Sequence, residues 1–382
     1  MAGLGPANHV FLAFSREGMA GRAKPDHDGG TKLLSKRGAM AIRLRPLDDA
    51  SADAWDAFVA AMPNGSFFHL ATWARVIETA FGHRCHYTLA EQDGAIVGVL
   101  PLTHVKTRLF GNTLVSTPFC VYGGPLAAEP EALEALEAHA EALRIKFGAS
   151  AVELRERQAV EGNWLVRPDL YVTFRKPITG DDDSNMKAIP RKQRAMVRKG
   201  IQNGLSSVSH QDVAVLHRVY AESVRNLGTP VFSRRYFAIL AKAFGNRSDI
   251  VTVLDNDKPI AAVMNFYFRD EVLPYYGGGT SEARQRAGND FMYWEVMRRA
   301  AGRGCRLFDF GRSKLGTGAF AFKHNWGFEP EKLHYRYRLA PGATIPDHNP
   351  LNPKYRLFIA AWKRLPLPIA NLLGPPIVRG LG

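Results

Sequence analysis

What most constrains the fold of this 382-residue chain is a succession of strands and helices that runs through it twice. Around Asp93-Gly94, two alternating apolar runs meet at a two-residue turn of the kind that closes a type I′ hairpin. A second hairpin can be laid over the first at an offset of 164 residues, with Thr88 on Thr252, Leu89 on Val253, Asp93 on Asp257, Ile96 on Ile260 and Val99 on Val263. Hairpins share alternation and turn chemistry in any case, so the order of the flanking elements carries equal weight. Together they predict a tandem duplication.

The first half reads as a helix from Trp55, a second helix over Phe67 to Phe81, the hairpin, and an Ala/Glu/Leu-rich helix over Ala127 to Phe147. Strands follow near Ala151 to Arg155 and Tyr171 to Arg175. In the second half, helices fit Val213 to Asn226 and Ser233 to Phe244, and strands fit Ile250 to Leu254, Pro259 to Phe268 and Val272 to Tyr276. A helix over Asn289 to Arg303 precedes strands at Cys305 to Phe310 and Leu333 to Leu339. Alternation of this kind indicates an α/β (α+β) protein with mixed sheets flanked by helices. The polar run Asp181-Asp182-Asp183-Ser184 lacks periodicity and serves as the expected boundary. Four regions result: a leader over 1–40, either disordered or preceding a true start at Met40, domains over 41–180 and 181–344, and a basic amphipathic tail over 345–382.

The 50 Lys and Arg outnumber the 36 Asp and Glu, and 46% of residues are hydrophobic, which excludes wholesale disorder. The net charge is +3 over residues 1–40, −3 over 41–180 and +14 over 181–382. The second half is therefore expected to meet an anion, with a merely solvated basic surface as the alternative. Three scattered cysteines, Cys85, Cys120 and Cys305, point to a reducing compartment. No apolar run reaches the roughly 18 residues that span a bilayer.

The densest cationic segment, Lys187 to Lys199, contains no acid. Pro190 suits a first helical position, and Arg191, Arg194 and Arg198 then share one helix face, with Lys192 beside them. Guanidinium forks match phosphate, so a diphosphate-bearing ligand is expected there. The glycine-rich turn after Tyr276 lacks the third glycine of a dinucleotide loop. Gly311 to Gly316 has Walker spacing but continues Thr317-Gly318, so neither NAD nor ATP binding is supported. Asp309 and Arg312 end a predicted strand, and Lys323 lies between Phe322 and Trp326. A partly desolvated lysine suits an oxyanion or phosphate, and a lysine snorkelling from an aromatic surface is the alternative. His83-Arg84-Cys85-His86 is the only tight His/Cys cluster, and no metal site is expected.

Ile189 to Gly200, Tyr275-Tyr276-Gly-Gly, Phe308-Asp-Phe-Gly-Arg312 and Phe322-Lys-His-Asn-Trp-Gly-Phe-Glu329 together resemble the FemAB family, especially its branch associated with exosortase/PEP-CTERM systems. Phe67 to Trp73 and Tyr122-Gly-Gly-Pro125 are similar too, and the resemblance covers roughly residues 41–340. It implies tandem GNAT-like acyl-CoA N-acyltransferase folds and transfer of an aminoacyl group from aminoacyl-tRNA to an amine of a diphosphate-bearing precursor. By position it implies that Lys323 stabilises the transferring carbonyl and that Arg194 holds precursor phosphate. Acyl-CoA users of this fold carry Arg/Gln-x-x-Gly-x-Gly/Ala, whereas Gln285-Arg-Ala-Gly288-Asn-Asp290 ends in a carboxylate, which disfavours a pyrophosphate.

The expected activity is therefore an acyl- or aminoacyltransferase that forms an amide on an amine acceptor, in cell-envelope or exopolysaccharide biosynthesis. Lys323 and Asp309 are the expected catalytic residues, and Lys192, Arg194, Arg198, Tyr276, Arg312 and Trp326 the expected substrate contacts. No permanent cofactor is expected, the donor being aminoacyl-tRNA or acyl-CoA and the acceptor phosphate-bearing or lipid-linked. The alternatives are an acyl-CoA-dependent N-acetyltransferase of a small molecule or sugar, and a non-catalytic RNA-binding protein; DNA is not an expected partner. Tyr355, Phe358, Ile359 and Trp362 share a face of a basic helix before Pro366. That helix either contacts the inner face of the cytoplasmic membrane or packs on the domain, in a protein that is otherwise cytoplasmic.

Overall fold

The computed structural model describes residues 41–108, 110–168, 170–345 and 353–381. The leader over 1–40 lies outside the described residues. Along the first half run β1 (Arg43–Pro46), α1 (Ala52–Ala61), α2 (Thr72–Phe81), β2 (Arg84–Gln92), β3 (Ala95–Thr107), β4 (Gly111–Ser116), β5 (Leu126–Ala127), α3 (Pro130–Phe147), β6 (Ala151–Glu156), β7 (Leu165–Arg167) and β8 (Tyr171–Pro177). Then come α4 (Asp182–Ala188), α5 (Arg191–Gln202), β9 (Ser206–His210), α6 (Val213–Leu227), α7 (Arg234–Phe244), β10 (Ser248–Asp255), β11 (Lys258–Phe268), β12 (Glu271–Gly279), α8 (Ser281–Gln285) and α9 (Gly288–Gly302). The last elements are β13 (Leu307–Asp309), β14 (Ser313–Lys314), α10 (Gly318–Asn325), β15 (Pro330–Lys332), β16 (His334–Leu339), α11 (Pro353–Trp362) and α12 (Leu367–Val378).

Phe67 to Phe81 is not one helix. A 3-10 turn, Phe67–His69, is capped by Ser66, whose hydroxyl accepts from Phe68 N, and the Trp55 indole donates to His69 O at 2.7 Å. The side-chain competition for backbone groups ends that turn before α2 begins. Asp181-Asp182-Asp183-Ser184 likewise forms a helix start, because the Asp181 carboxylate accepts from the amides of Asp183 and Ser184.

Two mixed sheets result. Their strand orders are β1-β2-β3-β4-β6-β16-β7, with β5 on β3, and β14-β8-β13-β12-β11-β10-β9, with β15 on β8. In each, an antiparallel meander passes into a parallel pair, β4 with β6 and β12 with β13, followed by an antiparallel strand from the other half of the chain. The division placed at 180/181 therefore does not follow the sheets. β8 completes the second sheet, and β16, read as the last strand of the second half, lies between β6 and β7 of the first.

The duplicated hairpins match at an offset of 163 rather than 164, since the turn residues are Asp93-Gly94 and Asn256-Asp257, all at positive φ. Aligning Asp on Asp shifted the register by one, because Asn takes the left-handed conformation as readily as Asp. At the corrected offset the bulges coincide, between Ala90 and Glu91 in one and Val253 and Leu254 in the other.

One aromatic core joins the halves. Phe67 stacks on Phe266 with ring centroids 4.6 Å apart and lies 4.5 Å from Phe244, while Phe68 meets Tyr275 at 5.0 Å. Burial of such rings is worth about 1.5–3 kcal/mol each, so the halves behave as one packed body. The C-terminal hairpin straps both halves: His83 Nε2 lies 2.7 Å from Arg379 O, and Gly374 packs on the Val231 backbone.

Candidate functional site

The junction of β8 with β13 places Arg175 directly opposite Asp309. Asp309 is 1% exposed and accepts from Gly311 N at 2.7 Å and from the Tyr122 hydroxyl at 3.0 Å. Tyr122 also bonds the Thr173 hydroxyl. Arg175 Nε lies 3.3 Å from Asp309 Oδ2, and its Nη2 donates to Glu271. Carboxylates in such burial must be charge-paired or richly hydrogen-bonded, and this one is both.

Lys323 stands one helical turn into α10, whose N-terminus is capped by the Thr317 hydroxyl. Its ammonium is buried over the Phe174 ring and donates to Gly311 O and Arg312 O, both at 3.0 Å. Burial pushes its pKa down to about 7, against the pull of Asp309 and with the push of the Arg312 charge. An ammonium has three protons, so one remains for a further acceptor. Arg312 is stacked on Tyr171 at 4.4 Å and donates to the Tyr335 hydroxyl at 2.9 Å, which in turn donates to Val121 O at 2.6 Å.

The segment Thr117 to Gly124 enters this cluster from the first half. Arg155 Nη1 donates to Cys120 O at 2.9 Å, the Tyr275 hydroxyl to Phe119 O at 2.9 Å, and Gly123 N and Gly124 N to Arg155 O. Thr117 and Phe119 both have positive φ, unusual for such residues. A Cβ on Gly124 would meet Glu156 Cγ at 2.4 Å, so only glycine fits there.

On the far side of Lys323, two residues beyond the end of α10, Gly327 lies at φ +77°, where a Cβ would meet the Pro190 ring at 2.9 Å. That contact seats Pro190, which caps α5 rather than occupying its first turn, against the lysine helix. Arg191, Lys192, Arg198 and Lys199 are exposed along α5, and among the described residues none of them forms an ion pair. Arg194 turns inward instead, donating to Ile189 O at 3.0–3.1 Å and to Lys187 O at 2.8 Å. It closes the end of α4.

Asp290, in the first turn of α9, accepts from Gln193 and, at 3.1 Å, from the Trp326 indole. Burial pushes its carboxyl up to about 6, against both hydrogen bonds. Gly200 of α5 lies on Phe291 and Ala287 O, and Asn203 Nδ2 donates to Arg286 O at 2.9 Å. A carboxylate and the packed helix α5 thus cover the first turn of α9, the turn at which the sequence departs from the Arg/Gln-x-x-Gly-x-Gly/Ala pattern.

The structure brings Asp309, Arg312 and Lys323 together. It sets Lys192 and Arg198 on the neighbouring basic face and commits Arg194 to backbone carbonyls. Trp326 is 0% exposed and donates to Asp290, while Tyr276 is buried in the aromatic core that joins the halves, its ring 4.7 Å from Tyr275 and its hydroxyl 2.8 Å from that of Tyr236. Tyr122, Thr173, Arg175 and Glu271 were not singled out as site residues; only the Tyr122-Gly-Gly-Pro125 pattern signalled one of them. A cavity of about 630 Å³ by Asp48, Asp53, Asp56 and His139 shares no lining residue with this cluster. Among the described residues no group of three or more His, Cys, Asp or Glu is placed to hold a metal, and the three cysteines are free.

Two sheets of equal strand order, each with one parallel pair, define a tandem of GNAT-like units. Residues 186–324 match the family described as Acetyltransferase (GNAT) domain. Over more of its length the chain is similar in fold to FemX, with a TM-score of 0.62 and 16% identity, covering 83% of this chain and 100% of that one. It is also similar to the C-terminal domain of a protein named as a lysylphosphatidylglycerol synthetase from Agrobacterium fabrum (TM-score 0.50, 12% identity, 77% of this chain and 93% of that one). No curated protein matches the sequence. The chain thus carries a GNAT acetyltransferase domain within a tandem of two such folds, the fold of transferases that move an acyl group from an activated donor. No helix among the described residues is long and apolar enough to cross a membrane.

Proposed function

We propose that the protein forms an amide by moving an acyl or aminoacyl group to an amine on a phosphate-bearing or lipid-linked acceptor. The observation that carries this reading is the buried Lys323 ammonium beside Asp309 and Arg312, with one proton uncommitted. The acceptor nitrogen attacks the donor carbonyl carbon and Lys323 stabilises the oxyanion. The C–O or C–S bond to the leaving group then breaks, and the amine proton departs with that group. Asp309, held by the Tyr122 hydroxyl, accepts from the Gly311 amide and so fixes the Gly311–Arg312 segment whose carbonyls aim Lys323, and Arg198 and Lys192 take acceptor phosphate.

The covered first turn of α9 favours aminoacyl-tRNA over acyl-CoA as donor, and the resemblance of the motifs to the FemAB family agrees with that choice. An acyl-CoA-dependent N-acetyltransferase of a small molecule or sugar is the second reading, favoured by the acetyltransferase family match. The setting we assign is envelope or exopolysaccharide assembly in exosortase/PEP-CTERM systems, on the resemblance of the motifs, at the inner face of the cytoplasmic membrane. Full-length protein incubated with labelled aminoacyl-tRNA or acyl-CoA tests this. Discharge that requires an amine acceptor from envelope extract supports transfer; binding of uncharged RNA with a steep salt slope and no donor consumption overturns it in favour of an RNA-binding module.

A further inference from the structure

The C-terminal helical hairpin is docked on its inner side and bare on its outer side. Inward, Trp362 is 3% exposed, Ile359 packs on Gly228, and Ala370, Gly374 and Val378 are buried. Outward, Leu357 is 83% exposed, Leu372 74%, Leu373 46% and Ile369 44%. Ile369, Leu372, Leu373 and Pro376 recur at helical spacing, so they form one stripe along α12. That stripe borders an apolar groove of about 400 Å³ between α11 and α12, walled by Phe358, Trp362, Leu365 and Ile377. The Trp362 indole nitrogen has no hydrogen-bond partner among the described residues.

Charge selects the occupant. From residue 348 to the C-terminus the sequence carries five Lys or Arg and no Asp or Glu. Lys363 and Arg364 are exposed in the turn between the helices. A second copy of the chain would bring five more cations to the same patch, whereas an anionic bilayer offers both acyl chains for the leucines and phosphates for the cations.

We infer that the α11–α12 hairpin docks on an anionic lipid surface, with Leu357, Ile369, Leu372 and Leu373 entering the acyl boundary and Lys363 and Arg364 at the headgroups. This goes beyond the transferase reading and does not depend on the donor. The Tyr355 side chain, expected on the apolar face, lies outside the described residues.

Flotation of the full chain with vesicles of phosphatidylcholine, alone or with phosphatidylglycerol, tests it with no acyl donor present. The expected result is binding to phosphatidylglycerol vesicles at least tenfold tighter than to neutral ones, weakened by salt. It should fall about tenfold in Leu372→Glu/Leu373→Glu and several-fold in Lys363→Glu/Arg364→Glu, with unchanged thermal unfolding. Equal binding of wild type and variants, or no preference for the anionic vesicles, overturns it. So does a lipid-independent dimer that Leu372→Glu disrupts, which gives the groove to a second copy. Either failure removes the placement at the membrane but leaves the transferase reading intact, since no turnover is measured.

Discussion

Each sheet is completed by a strand from the other half, and each such strand brings an arginine between two carboxylates. On β16, Arg336 pairs with Glu156 of β6 and, at 2.6 Å, with Glu137 of α3. On β8, Arg175 pairs with Asp309 of β13 and Glu271 of β12. The two junctions differ in what lies beside them. Arg336 is 1% exposed and faces the Trp164 ring, with its carboxylates engaged by that one cation. Asp309 is instead shared with Tyr122, Thr173 and the Gly311 amide, and its neighbourhood holds a lysine pushed toward neutrality by burial. The same topological device staples the first unit and, on the proposed reading, sets up chemistry in the second.

The largest expected effect breaks the first junction. Arg336→Ala leaves Glu156 buried, and the half-buried Glu137 beside it, without their cation and should destabilise the protein by about 3–5 kcal/mol, read as a lower denaturant midpoint. Turnover per folded molecule should be unchanged; a loss there would mean that both junctions serve catalysis. Lys323→Ala should do the reverse. Removing an oxyanion donor costs roughly 10²–10³ in turnover, and circular dichroism should report an intact fold. Because Lys323 must be protonated to stabilise an oxyanion and its pKa is lowered to about 7, kcat/KM should be highest below that pH and fall as pH rises through it. A limb that rises instead would make Lys323 the base that deprotonates the acceptor amine.

Asp290 sharpens the contrast at the edge of the second junction. Its folded pKa, about 6, lies above the ordinary 3.8, so the folded protein holds a proton that the unfolded chain releases. Ionisation therefore lowers stability as pH rises from about 4 to 6, and the cost persists above. Asp290→Asn, which keeps an oxygen for Gln193 and Trp326, should stabilise the protein by up to about 3 kcal/mol at pH 8. The gain should vanish near pH 4 in urea titrations. A gain that does not depend on pH would trace to packing rather than charge.

Most elements were legible in the chain because their signals are local: alternation around Asp93-Gly94, the Ala/Glu/Leu-rich run into Phe147, the helix read over Val213 to Asn226. The strand exchange was not, since β8 and β16 read as ordinary final strands and pairing partners at long range leave no local periodicity. Lys323, Asp309 and Arg312 stood out because charge amid aromatics is conspicuous. Arg175 and Glu271 did not, because on a strand they look like solvent-facing residues until β8 crosses over. Arg194 misled for a related reason: helical spacing sets it with Arg191 and Arg198, but its fork reaches back to the open carbonyls of α4, a helix-end demand that spacing does not reveal.

That commitment of Arg194 leads to the mildest test. If the basic face of α5 holds acceptor phosphate, the exposed Arg198 and Lys192 carry the contact and Arg194 positions the helix. Arg198→Ala should raise KM for a phosphate-bearing acceptor about tenfold, the scale of one charge-assisted bond, with kcat unchanged. The effect should shrink as salt is raised. Arg194→Ala should instead lower the denaturant midpoint through the freed carbonyls of Lys187 and Ile189, with KM affected only as far as α5 shifts. Should Arg194→Ala raise KM tenfold while leaving stability untouched, the guanidinium leaves its carbonyls for the acceptor during turnover, and the assignments of Arg194 and Arg198 exchange places.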